Sequence, residues 1–149
     1  MSNGGPGGRH VVCPACGATN RIPTDKPAKA ARCGSCKQAL FAARPVNVDG
    51  AAFQKHLKSN DIAVLVDVWA PWCGPCRSMA PNFEKAAESL EPDVRLLKLN
   101  ADEEGEVARQ LGVSGIPALI LFKGGKPVAR TAGAMPAQTI VDWTRQNLA

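Results

Sequence analysis

The sequence has no tyrosine, and its aromatics are three tryptophans and four phenylalanines in 149 residues. Phe41 is the only aromatic in the first 44 positions. Nucleic-acid surfaces that stack bases need several exposed rings, so that function has little support in this segment. Nowhere does the chain offer the roughly 18 consecutive apolar residues of a membrane span. The opening MSNGGPGGRH has no apolar stretch of the kind an export signal carries, so neither insertion nor export is expected. Histidine is scarce as well. His10 reads as an exposed side chain rather than a metal ligand, and His56 receives no role.

Acidic residues are almost missing from the N-terminal third. Residues 1–44 hold seven Lys/Arg against Asp25 alone, a net of +6, whereas the remainder nets −1. The overall +5 is therefore a local property. Four thiolates on one Zn²⁺ would carry −2 and lower the local value to about +4.

Cysteine is what the chain does have. The six fall as three Cys-x-x-Cys pairs, a metal or redox spacing rather than a secreted disulfide framework, and the cytoplasm is the natural compartment. Residues 1–44 show no sustained helical or strand period and dense Gly, Pro and Cys punctuation. Such a segment needs a staple besides a hydrophobic core. Residues 45–149 instead alternate strand and helix patterns, which places a domain boundary at Arg44-Pro45.

The expected elements are a strand at 45–48, a helix at 49–59, and a nearly continuous apolar strand at 62–69 of the kind covered on both faces. A helix from Cys73 to Leu90 follows, with a kink expected at Pro81. Next come a strand at 94–99, a helix at 103–111 capped by Asp102, a hairpin of strands 118–122 and 127–132, and a last helix at 136–148. That order implies an α/β fold, a mixed sheet with helices on both faces.

Cys73-Gly74-Pro75-Cys76 lies where the apolar strand gives way to a helix. Unpaired N–H groups and the helix dipole favour a thiolate there, so Cys73 is the expected nucleophile. Cys76, one turn in, is expected to resolve the mixed disulfide. A metal half-site or two buried thiols is the competing reading. Asp67 is a carboxylate within an apolar strand. Burial should raise its pKa toward that of a proton acceptor for Cys76, acting through water, although a structural acid paired with Lys98 is the alternative.

Cys13-Pro14-Ala15-Cys16 and Cys33-Gly34-Ser35-Cys36 stand sixteen residues apart. This falls within the window of about 15 to 20 residues for a closed, structural four-thiolate zinc site. Gly17 and Gly34 are expected to permit the turns that aim amides at sulfur. Two disulfides, or an iron centre on the same sulfurs, remain open at this stage.

Residues 64–81, VLVDVWAPWCGPCRSMAP, resemble the active-site segment of thioredoxins, and the likeness continues through KLNADEE at 98–104, GVSGIPALILFKGGKPV at 112–128 and Gly133. The resemblance implies a thioredoxin fold, a central mixed sheet flanked by four helices. It further implies a cis Pro117 against the disulfide, a docking surface of Trp72, Gly74, Pro75, Ile116, Pro117 and Gly133, and Lys98 beside Asp67. Gly-Pro between the cysteines is the reductants' dipeptide. The Cys-rich extension resembles that of the zinc-containing bacterial thioredoxin 2 subfamily, a small zinc-ribbon-like module.

The implied activity is protein-disulfide reduction, with one zinc and no organic cofactor. Protein disulfides are the implied substrates, and an NADPH-dependent thioredoxin reductase the electron donor. A zinc-dependent chaperone or binding module released by oxidation is the alternative.

Overall fold

The computed structural model describes residues 8–149; positions 1–7 of the N-terminal segment, and with them most of the glycine-rich opening, lie outside the described residues. Strand β4 (Ala63–Trp69) is central, as its nearly continuous apolar run requires. On one side it pairs in parallel with β5 (Val94–Asn100), and β5 pairs in parallel with the short β3 (Val46–Asn47). On the other side it pairs antiparallel with β6 (Ala118–Lys123), which continues into the hairpin partner β7 (Lys126–Ala132). The sheet order is thus β3-β5-β4-β6-β7.

Side chains alternate along β4, and each set finds its own core. Ala63 and Leu65 pack with Met79 and Phe83 of α2 (Gly74–Leu90) and Ile140 of α4 (Ala137–Leu148). Val64, Val66 and Val68 pack with Phe53 of α1 (Gly50–Ser59) and Ala108 of α3 (Gly105–Gln110). Burying each large side chain of this kind is worth about 1.5–3 kcal/mol. Asp67 follows Ala63 and Leu65 in the alternation, so it faces the α2 layer.

The expected elements recur with shifted ends, and α2 runs through Pro81 as one continuous helix. One cap differs. Helix α3 starts at Gly105 with Glu104 as its N-cap and no side-chain cap bond. Asp102 is not the cap, because its carboxylate accepts from Trp72 Nε1 at 3.0 Å while its N–H donates to Asn100 Oδ1 at 2.9 Å. The bond to Trp72 spans 30 positions, a long-range claim on Asp102 that local cap patterns do not reveal.

The N-terminal segment is more ordered than its punctuation suggests. Strands β1 (Gly8–Val12) and β2 (Thr19–Pro23) form an antiparallel hairpin, followed by a 3-10 turn at Ala28–Ala30. Val11, Ile22, Leu40 and Phe41 gather with Cys13 and Cys33 into a small core, and Ile62 from the start of β4's approach completes it.

Candidate active site and metal centre

Cys73 is the N-cap of α2: its backbone is extended, and its sulfur accepts the Cys76 N–H at 3.2 Å. Pro75 sits in the first turn, where its missing N–H leaves no bond unmade. The sequence thus stops β4 after Trp69, turns through Ala70-Pro71-Trp72, and presents a sulfur to unpaired helix amides. Cys73 and Cys76 are joined by a disulfide, with Cα atoms 5.2 Å apart. Cys73 is 5 % exposed and Cys76 2 %.

The loop before β6 closes over this pair. The Ile116–Pro117 peptide is cis, and the Ile116 carbonyl oxygen lies 3.8 Å from Cys73 Sγ. Gly133 donates its N–H to the Pro117 carbonyl at 2.8 Å, with φ +100°. That backbone conformation is one a side chain would strain. Trp72 is 68 % exposed beside the disulfide, held by its bond to Asp102. Pro75 is exposed and Gly74 half-buried on the same rim.

Asp67 is 1 % exposed, and neither carboxylate oxygen has a hydrogen-bond partner. Burial pushes its pKa from 3.8 up to about 7, the positive charge of Lys98 holding back part of the rise. Asp67 and Lys98 are register partners across β4 and β5. The Lys98 ammonium nevertheless lies 4.6 Å from the centroid of the Trp69 ring, a cation–π contact, so it acts on Asp67 through its charge rather than through a hydrogen bond.

The four remaining cysteines converge, with their Sγ atoms all within 4.8 Å of one another. The closest pairs, Cys13–Cys36 and Cys16–Cys33, are 3.6 Å apart. Sulfurs at about 2.3 Å from a tetrahedral ion would stand about 3.8 Å apart, so the donor set fits a metal with little movement. Two matched turns build it: Cys13 N–H reaches Ala18 O and Cys33 N–H reaches Gln38 O, both at 2.8 Å. Amides of Ala15 and Cys16 donate to Cys13 Sγ, and the Ser35 amide and Asn20 Nδ2 donate to Cys33 Sγ.

The thiols divide strongly. Backbone donation from Cys36 and the Asn20 amide pull Cys33 down to about 6. Cys16 is pushed up to about 12, donation from Ala18 being outweighed by its bond to Cys33 and by desolvation. Four crowded thiols cannot all ionise without a cation among them. The left-handed residue after each pair is Gly17, at φ +80°, and Lys37, at φ +69°. Gly34 is not the second turn's counterpart; its N–H donates to Asn20 Oδ1 at 2.8 Å.

Sequence reasoning missed how this module is attached. Arg95 of β5 is fully buried and donates to the Val12 and Leu40 carbonyls at 3.1 and 2.8 Å. It also lies over the Phe41 ring at 4.7 Å and beside Glu91 Oε2 at 3.5 Å. Glu91 Oε1 accepts the Ala43 N–H at 2.8 Å. Asn60 accepts the Val12 N–H at 2.7 Å and bonds His56 Nδ1 at 2.7 Å. Burial, with the charge of Arg95, lowers the His56 pKa to about 4 and keeps it neutral. An arginine within the apolar run VRLLKL was the available signal, of the same kind as Asp67 in its strand.

A mixed α/β sheet with a disulfide at a strand-to-helix junction defines a thiol-disulfide oxidoreductase. The thioredoxin family profile matches residues 44–146, and the chain belongs to that family. Residues 12–38 match a second profile, described as Thioredoxin 2, N-terminal, a zinc ribbon. Thioredoxin C-3 of Corynebacterium nephridii is 36% identical over 138 residues, covering 93% of this chain and 94% of that one. Thioredoxin 1 of Nostoc sp. is 41% identical over 101 residues, 68% of this chain and 94% of its own. Among solved structures, a mutant thioredoxin from Halobacterium salinarum superposes with a TM-score of 0.66 at 31% identity. That match covers 73% of this chain and 95% of the other. The chain is a thioredoxin-type disulfide oxidoreductase with a cysteine cluster suited to metal at its N-terminus.

Proposed function

We propose that the chain is a reducing protein-disulfide oxidoreductase, an electron carrier that cycles Cys73 and Cys76 between dithiol and disulfide. The observation that carries this reading is Cys73 capping α2 while lying 3.8 Å from the Ile116 carbonyl. In the reduced protein the Cys73 thiolate attacks one sulfur of a substrate disulfide and expels the other as a thiolate, forming a mixed disulfide. Cys76 passes its proton to Asp67 through water and attacks Cys73 Sγ. The second substrate thiolate then leaves, and the Cys73–Cys76 disulfide holds the two electrons' worth of oxidation. Lys98 tunes Asp67 by its charge.

In this reading Trp72, Gly74, Pro75, Ile116, Pro117 and Gly133 form the docking surface, the Ile116 backbone pairing with the substrate chain. A flavoprotein thioredoxin reductase drawing on NADPH returns the electrons, and the cytoplasm supplies the reducing setting. Residues 1–44 are a zinc-binding module and 45–149 the redox domain. Cys13, Cys16, Cys33 and Cys36 would hold one zinc ion, a closed structural site whose charge lets all four thiols ionise. Dithiothreitol-driven insulin reduction tests the central claim. The parent chain should reduce insulin and Cys73→Ser should have none of that activity; a Cys73→Ser chain that reduces insulin at the parent rate refutes the reading.

A further inference from the structure

The outer face of the N-terminal module carries two adjoining clefts that the redox chemistry does not use. The first, of about 310 Å³, lies between β2 and the 3-10 turn; Ile22 and Leu40 form its floor, and Arg21, Lys26 and Arg32 stand on its rim. The second, of about 390 Å³, shares Ile22, Pro23 and Lys26 with the first and runs on past Arg9 and Thr24 to Pro92. Together they make one depression that crosses from the module onto the redox domain. Apolar residues line its base and cations its edge.

We propose that this depression is a docking site for an extended acidic segment of a partner protein, with glutamates or aspartates interleaved with apolar side chains. Charge complementarity argues for that occupant. Residues 1–44 carry a net +6, and four metal-bound thiolates leave about +4, while the rest of the chain nets −1. Lys26 and Arg32 are exposed at the rim, Arg32 giving one N–H to the Lys37 carbonyl at 3.3 Å. Arg9 is only loosely engaged, by Asp93 at 3.9 Å. Guanidinium and ammonium groups so placed suit carboxylates, and an interleaved leucine would cover Ile22 and Leu40.

Nucleic acid fits less well. No aromatic lines either cleft, and Phe41 is buried beneath Arg95. Bases would find nothing to stack on.

Fluorescence anisotropy on the oxidised, full-length chain tests the site, with a fluorescein-labelled peptide of alternating Glu and Leu as probe. Because no thiol reacts, the result is independent of the redox reading. Saturable binding is expected. It should weaken by about tenfold when salt is raised from about 0.01 M to about 0.15 M, a change that shortens the Debye length from about 30 to about 8 Å. The Lys26→Glu/Arg32→Glu chain should also lose affinity about tenfold while keeping its metal content and insulin-reducing activity. Lys26→Glu alone, farther from the cysteines, should show a smaller loss in the same direction. The proposal fails if the reversed chains bind the peptide as the parent does. It also fails if a Lys-Leu peptide or a single-stranded oligonucleotide binds as tightly, or if no saturable binding is seen up to millimolar peptide.

Discussion

Replacing Asp67 with asparagine should stabilise the protein, and by an amount that depends on pH. The carboxyl is 1 % exposed with no hydrogen-bond partner, and burial raises its pKa from 3.8 to about 7. Between those values the folded chain keeps a proton that the unfolded chain has released. The unfolded state then binds fewer protons, so stability falls as pH rises through that window. Each pH unit is worth about 1.4 kcal/mol, so the loss reaches about 4 kcal/mol above pH 7. Asparagine carries no charge, and a variant with it escapes the loss. The neutral amide and the neutral acid are nearly isosteric, which makes the two chains similar in stability near pH 4. Urea unfolding of the disulfide form at pH 4, 6 and 8 measures the difference. A gap opening in favour of Asp67→Asn by about 4 kcal/mol between pH 4 and 8 is expected. Parallel pH curves, or a gap of the opposite sign, would refute the argument. On the proposed mechanism, in which Asp67 takes the Cys76 proton, the same substitution should slow release of substrate from the mixed disulfide at neutral pH.

Further outcomes follow from the N-terminal contacts. Arg95→Met leaves Glu91 buried beside two carbonyls that have lost their donor, and should destabilise the chain by about 3–5 kcal/mol in urea unfolding. Arg95→Met with Glu91→Leu should lose less, because no buried charge is then unpaired. Atomic absorption should find one zinc per chain and none in Cys13→Ser/Cys33→Ser. Hydrogen exchange should then accelerate across 8–42, while the central strands at 63–69 and 118–123 keep their protection.

Legibility differed between the two parts of the chain for physical reasons. From Ala63 onward, each element announces itself through its own periodicity: the apolar run of β4, the i, i+4 spacing of Met79 and Phe83, the Gly124-Gly125 hairpin. The cysteine clusters were legible because metal and disulfide chemistry impose short spacings. The β1–β2 hairpin was not, because its alternation lasts five residues and part of its core, Ile62, comes from just ahead of β4. The attachment was hidden for a related reason. Arg95 reaches carbonyls 83 and 55 positions away, and carbonyls have no sequence identity to read. The same holds for Asp102, whose partner Trp72 outcompetes the local cap.

The three Cys-x-x-Cys pairs share a spacing and yet divide between a disulfide and a four-sulfur cluster suited to metal, and the backbone after each pair differs accordingly. After Cys16 and Cys36 the chain enters the left-handed region, at Gly17 and Lys37, and bends back so that Cys13 and Cys33 donate to Ala18 and Gln38. Each turn is closed on itself, and the two face each other with sulfurs 3.6 Å apart across the pairs. After Cys76 the chain instead continues as hydrogen-bonded helix to Leu90, and the Pro75 ring favours that direction. Cys73 is then bonded to the Cys76 sulfur, and it has the helix amide to hold its negative charge when reduced. Extending a helix from Cys16 would separate the four sulfurs. The conformation that follows the second cysteine thus sets the Cys73–Cys76 disulfide apart from the two pairs whose sulfurs are placed to suit a cation.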